Sequence, residues 1–289
     1  TSGTKTLPAG LTHLTGNLTL SGTATNATTL ADLDIDGDLS IANSAVLTVG
    51  AFNFNVDGNT SITGTSSSVN GKLTYGSATG TKSFIGPVTI GGNGIWDNVN
   101  NAPVNFEGGL SFSGKTFTGG TGSYTFQTTA GQSIGGTAAL TIPNLVVDAG
   151  VNLTNNNSAG LTVNATLSGT GTLTQGAAGI LNIGMAVGSF TLTTLDFSTA
   201  GNTVNYSGGV QTVRPVVYHH LALSGTSAKN VSGLTTVNGN LTLSGSATTT
   251  TTDSNLAVGG NLTIGSGTTV YVGGFDITVT GATSVTGTL

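Results

Sequence analysis

The sequence predicts an all-β chain wound as a parallel β-solenoid (a β-helix) with coils of about 21 residues. Composition, alternation and a repeated spacing carry that expectation. Of 289 residues, 47 are Gly and only 6% are charged, with Glu107 the sole glutamate and Met185 the sole methionine. Thr, Val, Ile and Phe suit a pleated, half-buried surface, while Gly and Asn suit turns. No stretch keeps apolar residues at a helical period. Hydrophobic residues make up 36% of the chain, enough for alternating positions to bury a continuous core.

The spacing is the strongest of the three. A unit of apolar–x–Gly–Asn/Asp–x–Thr/Ser–apolar reads LTGNLTL at 14–20, IDGDLSI at 35–41 and VDGNTSI at 56–62. It returns as VNGNLTL at 237–243, VGGNLTI at 258–264 and VTGATSV at 279–285. Gly16, Gly37 and Gly58 are 21 residues apart, as are Gly239, Gly260 and Gly281. Residues 10–25 match 233–248 at 12 of 16 positions, which implies duplication of a coil. Three faces of about seven residues would close each coil, and 13 to 14 coils would make a rod roughly 65 Å long. The repeat fixes the path of a coil and not its hand.

Alternation assigns the sides. In 51–58, Phe52, Phe54 and Val56 point inward; in 31–38, Leu33 and Ile35 do, with Asp32, Asp34, Asp36 and Asp38 outside. Leu11 and Leu234 break phase at equivalent places and read as a shared bulge or corner. The expectation is a single domain over 1–289, with regular coils at 11–75 and 216–289. Between them, 76–215 reads as irregular coils, although hairpins of a sandwich would also suit it. Within that stretch FEGGLSF (106–112) and VNATLSG (163–169) look like drifted copies, and GGNGIWDNVNNAP (91–103) reads as a protruding loop.

The stretches 218–249 and 258–281 resemble the β-strand repeat modules of large secreted bacterial, or archaeal, surface proteins. Those modules are similar to the shafts of filamentous adhesins. The resemblance covers the first and last 75 residues well and the middle loosely. It implies an extracellular or cell-surface location and a structural role, and it brings no catalytic residues with it.

The 21-residue register stacks outward residues in columns. His13, Asp34 and Asn55 form one, and Thr15, Asp36 and Asp57 a second. Asn17, Asp38 and Asn59 form a third, which Asn240 and Asn261 repeat. The third reads as a hydrogen-bonded side-chain ladder. Asp34, Asp36 and Asp57 suggest an oxygen-rich calcium site, weighed against a solvated acidic stripe. Retaining glycosidases also hold two carboxyls about 5–5.5 Å apart, but no aromatic platform is evident beside Asp36 and Asp57. His219 and His220 should face opposite sides of a strand and so not share an ion. Trp96 with Asp97 reads as a loop anchor, or else a carbohydrate-binding tip.

A net charge of −5 with six Lys plus Arg argues against nucleic-acid binding. No apolar run approaches a membrane-spanning helix. With no signal peptide, residue 1 reads as a mature or trimmed end. No cofactor other than calcium is expected. The expected partners are further copies of the chain, head to tail, and surface glycans. The interface falls on Thr1, Ser2, Gly3, Val285 and Leu289, because Leu289 followed by Thr1–Lys5 imitates Leu223–Thr226 with Lys229 beyond. Three functions compete: a subunit of an extracellular filament or fibre, an adhesin shaft or carbohydrate-binding module of a larger secreted protein, and a polysaccharide-degrading β-helix.

Overall fold

The structure, a computed structural model, describes residues 3–22, 25–128, 130–249 and 252–289. Short strands alternate buried and outward residues, and Gly-containing corners join them. Leu33–Ile35 and Leu39–Ile41 show how one coil forms. Leu33, Ile35, Leu39 and Ile41 are almost fully buried, and Asp36–Gly37–Asp38 makes the corner between the two strands. The next coil repeats the path, pairing Leu33 with Phe54 and Leu39 with Thr60 in parallel. The chain makes about 13 such turns, ~21 residues apart, as a parallel β-solenoid. No helix among the described residues is long and apolar enough to cross a membrane.

Three faces run the length of the rod. The first starts at Gly3–Thr6 and continues through Ile95–Asp97 to Thr116–Thr118. Leu140–Thr141 then takes it over and carries it to Thr283–Val285. The second runs from His13–Leu14 to Thr166–Gly169, bridges to Phe190, and resumes at Gln211–Thr212. The third runs from Leu18–Leu20 to Thr194–Asp196 and then through bridges from Phe197 to Tyr218 to Val237. Parallel pairing therefore continues through 76–215, which excludes hairpins of a sandwich there.

Two expectations about irregularity are corrected. The segment 91–103 does not protrude: Ile95–Asp97 is a first-face strand paired on both sides, and Trp96 is fully buried. The insertion lies earlier, inside the stretch read as regular. Gly64–Ser66 and Val69–Asn70 form an antiparallel hairpin. The coil from Asn53 to Thr81 accordingly spans 28 residues rather than 21. Leu11 and Leu234 do mark equivalent corners, with their N–H groups closing turns onto Pro8 and Val231 carbonyls at 2.9 and 3.1 Å.

The drifted copies have a geometric explanation. LTGNL at 14–18 turns the chain from the second face to the third, and so does FEGGL at 106–110. VNATL at 163–167 turns it from the first to the second, and VNGNL at 237–241 from the third to the first. All three corners accept the same unit, so copies need not share one column.

The interior holds a continuous apolar column and an aromatic middle. Trp96 packs with ring centroids 5.2 Å from Tyr75, 5.6 Å from Phe84, 6.0 Å from Phe106 and 5.6 Å from Phe117. Its Nε1 donates to the Tyr124 hydroxyl at 3.2 Å, which donates to the Gly119 carbonyl at 2.9 Å. Burial pushes the Tyr124 pKa up to about 12. Lys82 and Lys229 also point inward, and neither ammonium has an ion-pair partner among the described residues. The Lys82 Nζ donates to the carbonyls of Phe52, Thr79 and Gly80 at 2.7, 2.7 and 2.8 Å. Lys229 meets the Gly208 and Gly209 carbonyls and the Gln211 Oε1. Each lysine ties a wide corner to the core, and burial lowers each pKa to about 8.

Candidate functional site

Outward chemistry concentrates at the Gly-containing corners, and the predicted Asn column lies there. Its bonds differ from the stacked amides expected of cross-β Asn. The Asn17 Oδ1 accepts the Asp38 backbone N–H at 2.8 Å, and the Asp38 Oδ1 accepts the Asn59 N–H at 2.8 Å. Near the other end, the Asn240 Oδ1 accepts from Asn261 N–H and the Asn261 Oδ1 from Ala282 N–H, both at 2.9 Å. Each side chain thus satisfies a backbone donor of the next coil. Only the oxygen is needed, so Asp38 serves as well as Asn. A second such column escaped the sequence reading. The Asp32 Oδ1 accepts from Asn53 N–H and the Asn53 Oδ1 from Thr81 N–H, both at 2.9 Å, and Asn255 does the same for Asp276. The 21-residue spacing of Asp32 and Asn53 was its signal.

The acidic columns assemble differently from a Asp34–Asp36–Asp57 triad. The His13 Nε2 lies 2.7 Å from the Asp36 Oδ1, and that bond and charge raise the His13 pKa. The Asn55 Nδ2 donates to Asp34 Oδ1 and Asp57 Oδ1, at 2.7 Å each. The ligand atoms of His13, Asp34 and Asp36 lie within 4.8 Å of one another, and Asp57 stands outside that group. An imidazole is a poor calcium ligand, and the carboxylates already accept side-chain donors. A cation would compete with His13 and Asn55 for these carboxylates. Melting curves recorded with calcium and with a chelator are therefore expected to coincide; a rise of several degrees with calcium would show that the carboxylates turn to the ion.

His219 and His220 correct the expectation for a strand. His219 lies on the corner between Tyr218 and the strand His220–Leu223. Both rings consequently meet on the same outer edge, with centroids 4.1 Å apart and edge to face. The His219 Nδ1 accepts the Gly201 N–H at 3.1 Å, and the His220 Nδ1 accepts the Asn240 N–H at 2.9 Å. His220 thereby occupies the place that Asn240 takes one coil later.

The second face is interrupted between Phe190 and Gln211–Thr212, leaving a cleft of about 260 Å³ lined by Met185, Val187, Phe190, Gln211 and Arg214. Arg214 spans the gap, with its guanidinium 4.6 Å from the Phe190 ring centroid and a hydrogen bond to the Phe190 carbonyl. No motif marks this gap, because it arises from a missing ladder. Asp97 pairs with Lys72 at 2.6 Å on the outer side of the strand whose inner side holds Trp96. The two residues therefore point in opposite directions and form no common tip.

The last coil is open. Val285 stands in the inward column Leu223–Leu243–Ile264–Val285, yet it is 44% exposed where Ile264 is fully buried. Val272, Phe275 and Leu289 are exposed as well and line a depression of about 330 Å³ with Ile277 and Val279. The imitation of Leu223 by Leu289 does not hold: Val285 shares the Leu223 column, and Leu289 follows Thr288 on the next face. At the opposite end Gly3–Thr6 pairs with Thr25–Thr28, leaving its other edge free of described strands. Thr1 and Ser2 lie outside the described residues.

Fold and corners together define a three-faced repeat β-solenoid. No protein-family model matches the chain, and no curated protein or solved structure matches it.

Proposed function

We propose that the chain is a structural subunit of an extracellular filament or cell-surface fibre, extended by stacking one copy's coils on the next. The observation that carries this reading is the open last coil. An unpaired parallel edge templates further pairing, and here an exposed apolar column continues directly from the buried core. Faces align if Gly3–Thr6 of one copy extends the first face beyond Thr283–Val285, with Leu18–Leu20 placed over Ile277–Val279. Such a head-to-tail contact does not close on itself and propagates as a fibre. The low charge and the Thr-, Gly- and Asn-rich surface support an extracellular setting. A structural rather than catalytic role is favoured because Asp34, Asp36 and Asp57 are held by His13 and Asn55 on an open flank.

The second reading, an adhesin shaft within a larger secreted protein, covers the same surface with further coils of one chain. Electron microscopy separates the two. The protein should form filaments, and Val285→Lys combined with Leu289→Lys should give short rods, since two ammonium groups would have to be buried at each junction. Rods from the unaltered protein, or filaments from both, would refute head-to-tail stacking.

A further inference from the structure

We infer that His219 and His220 form an acid-sensitive joint: two imidazoles that tie the corners of three consecutive coils at neutral pH and let those corners loosen on protonation. The inference rests on which nitrogen each ring uses. His219 accepts its hydrogen bond from Gly201 of the preceding coil, and His220 accepts from Asn240 of the following coil. Both acceptors are Nδ1, so each ring is neutral and carries its proton on Nε2. Protonation places a second proton on Nδ1. That atom then faces a backbone N–H as donor against donor, and both inter-coil bonds are lost. Two imidazolium rings with centroids 4.1 Å apart also repel each other.

Elsewhere in the same kind of corner the acceptor is an oxygen: Asn17, Asp38, Asn240 or Asn261. An amide oxygen keeps its lone pairs at any ordinary pH. Acid therefore loosens this corner while leaving the Asn steps intact. The site has little that would hold a proton on the rings in compensation. Residues 215–223 and 236–243, on its own and the following coil, contain no Asp, Glu, Lys or Arg. On the preceding coil, Asp196 is the sole charged residue of 196–203, and its Oδ1 accepts from the Ser198 N–H and hydroxyl at 3.1 and 2.7 Å.

Burial, and then His219, draw the His220 pKa below 6.5. A base whose folded pKa is lowered stabilises the fold above its unfolded value. That contribution is lost as pH falls through the folded value. Chelation is a poor use of the pair: a metal on Nε2 would leave the ring proton for Nδ1, against the same backbone donors.

Hydrogen exchange of the Gly201 and Asn240 amides tests the joint. Corrected for intrinsic exchange, their protection should fall about tenfold or more between about pH 7 and about pH 4.5, while the Asn261 amide changes little. His219→Asn and His220→Asn together supply oxygen acceptors and should hold protection level across that range. Imidazole ¹⁵N shifts of the unaltered protein at neutral pH should report unprotonated Nδ1 and protonated Nε2 on both rings. Equal protection at both pH values, the same loss in the double variant, or a proton on Nδ1 at neutral pH would each overturn the joint.

Discussion

Gly58→Val is expected to cost about 3 kcal/mol, at the upper end for overpacking a filled site. The Gly58 N–H donates to the Gly37 carbonyl at 3.2 Å, so the two corners stack directly. A Cβ on Gly58 would lie 2.5 Å from the Gly37 carbonyl carbon and 2.6 Å from the Asp38 Oδ1. Neither neighbour can yield cheaply. One is backbone in a paired corner, and the other is the oxygen that accepts the Asn59 N–H. The substitution therefore removes a ladder bond as well as crowding a turn. Gly91 is the control, because a Cβ there meets nothing within 4 Å; Gly91→Ala should stay within about 0.5 kcal/mol. Denaturant unfolding measures both. Equal midpoints for the two variants would mean that Gly recurs at this place in the repeat for no steric reason.

Trp96→Ala should cost still more, about 3–5 kcal/mol. The indole is fully buried among Tyr75, Phe84, Phe106 and Phe117, so its loss opens a cavity across three coils that cannot collapse without shifting paired strands. Because each coil contacts mainly its neighbours, the loss should stay local. Hydrogen exchange should quicken in the strands Lys72–Tyr75, Ile95–Asp97 and Thr116–Thr118 and leave Leu262–Ile264 unchanged. Trp96→Phe should cost less. A change within about 0.5 kcal/mol for Trp96→Ala is what an exposed loop tryptophan would give, and it would contradict the packing described.

Much of the coil is legible in the sequence because its rules are local. Alternation puts Leu33, Ile35, Phe52, Phe54 and Val56 inside; the structure buries four of them, while Phe52, in the bend before the strand Phe54–Val56, is only half-buried. The 21-residue spacing stacks His13 on Asp34 on Asn55, and the pairing follows that order. The misreadings come from taking turn-rich composition as a sign of protrusion. Around Trp96, Gly and Asn make tight corners of an ordinary coil. The true hairpin at 64–70, Gly-Thr-Ser-Ser-Ser-Val-Asn, looks in composition like any other corner. Strand alternation sets His219 and His220 on opposite sides, but it does not operate at the corner where His219 lies.

The sequence by itself determined the fold class, the coil length, the inward columns and the stacking of Gly16, Gly37 and Gly58. All of these follow from side-chain periodicity and from the absence of a Cβ where backbones meet. Tertiary structure alone decided which of three equivalent corners each copy of the unit occupies. It also decided that Asp36 turns to His13 and Asp57 to Asn55, that two lysines fold inward, and that the second face breaks at Phe190. The reason is physical. A closed coil has three corners of nearly equal geometry, so a corner motif carries no label for its position around the axis. The accumulated lengths of the intervening coils set that position, and with it the neighbours each polar side chain finds.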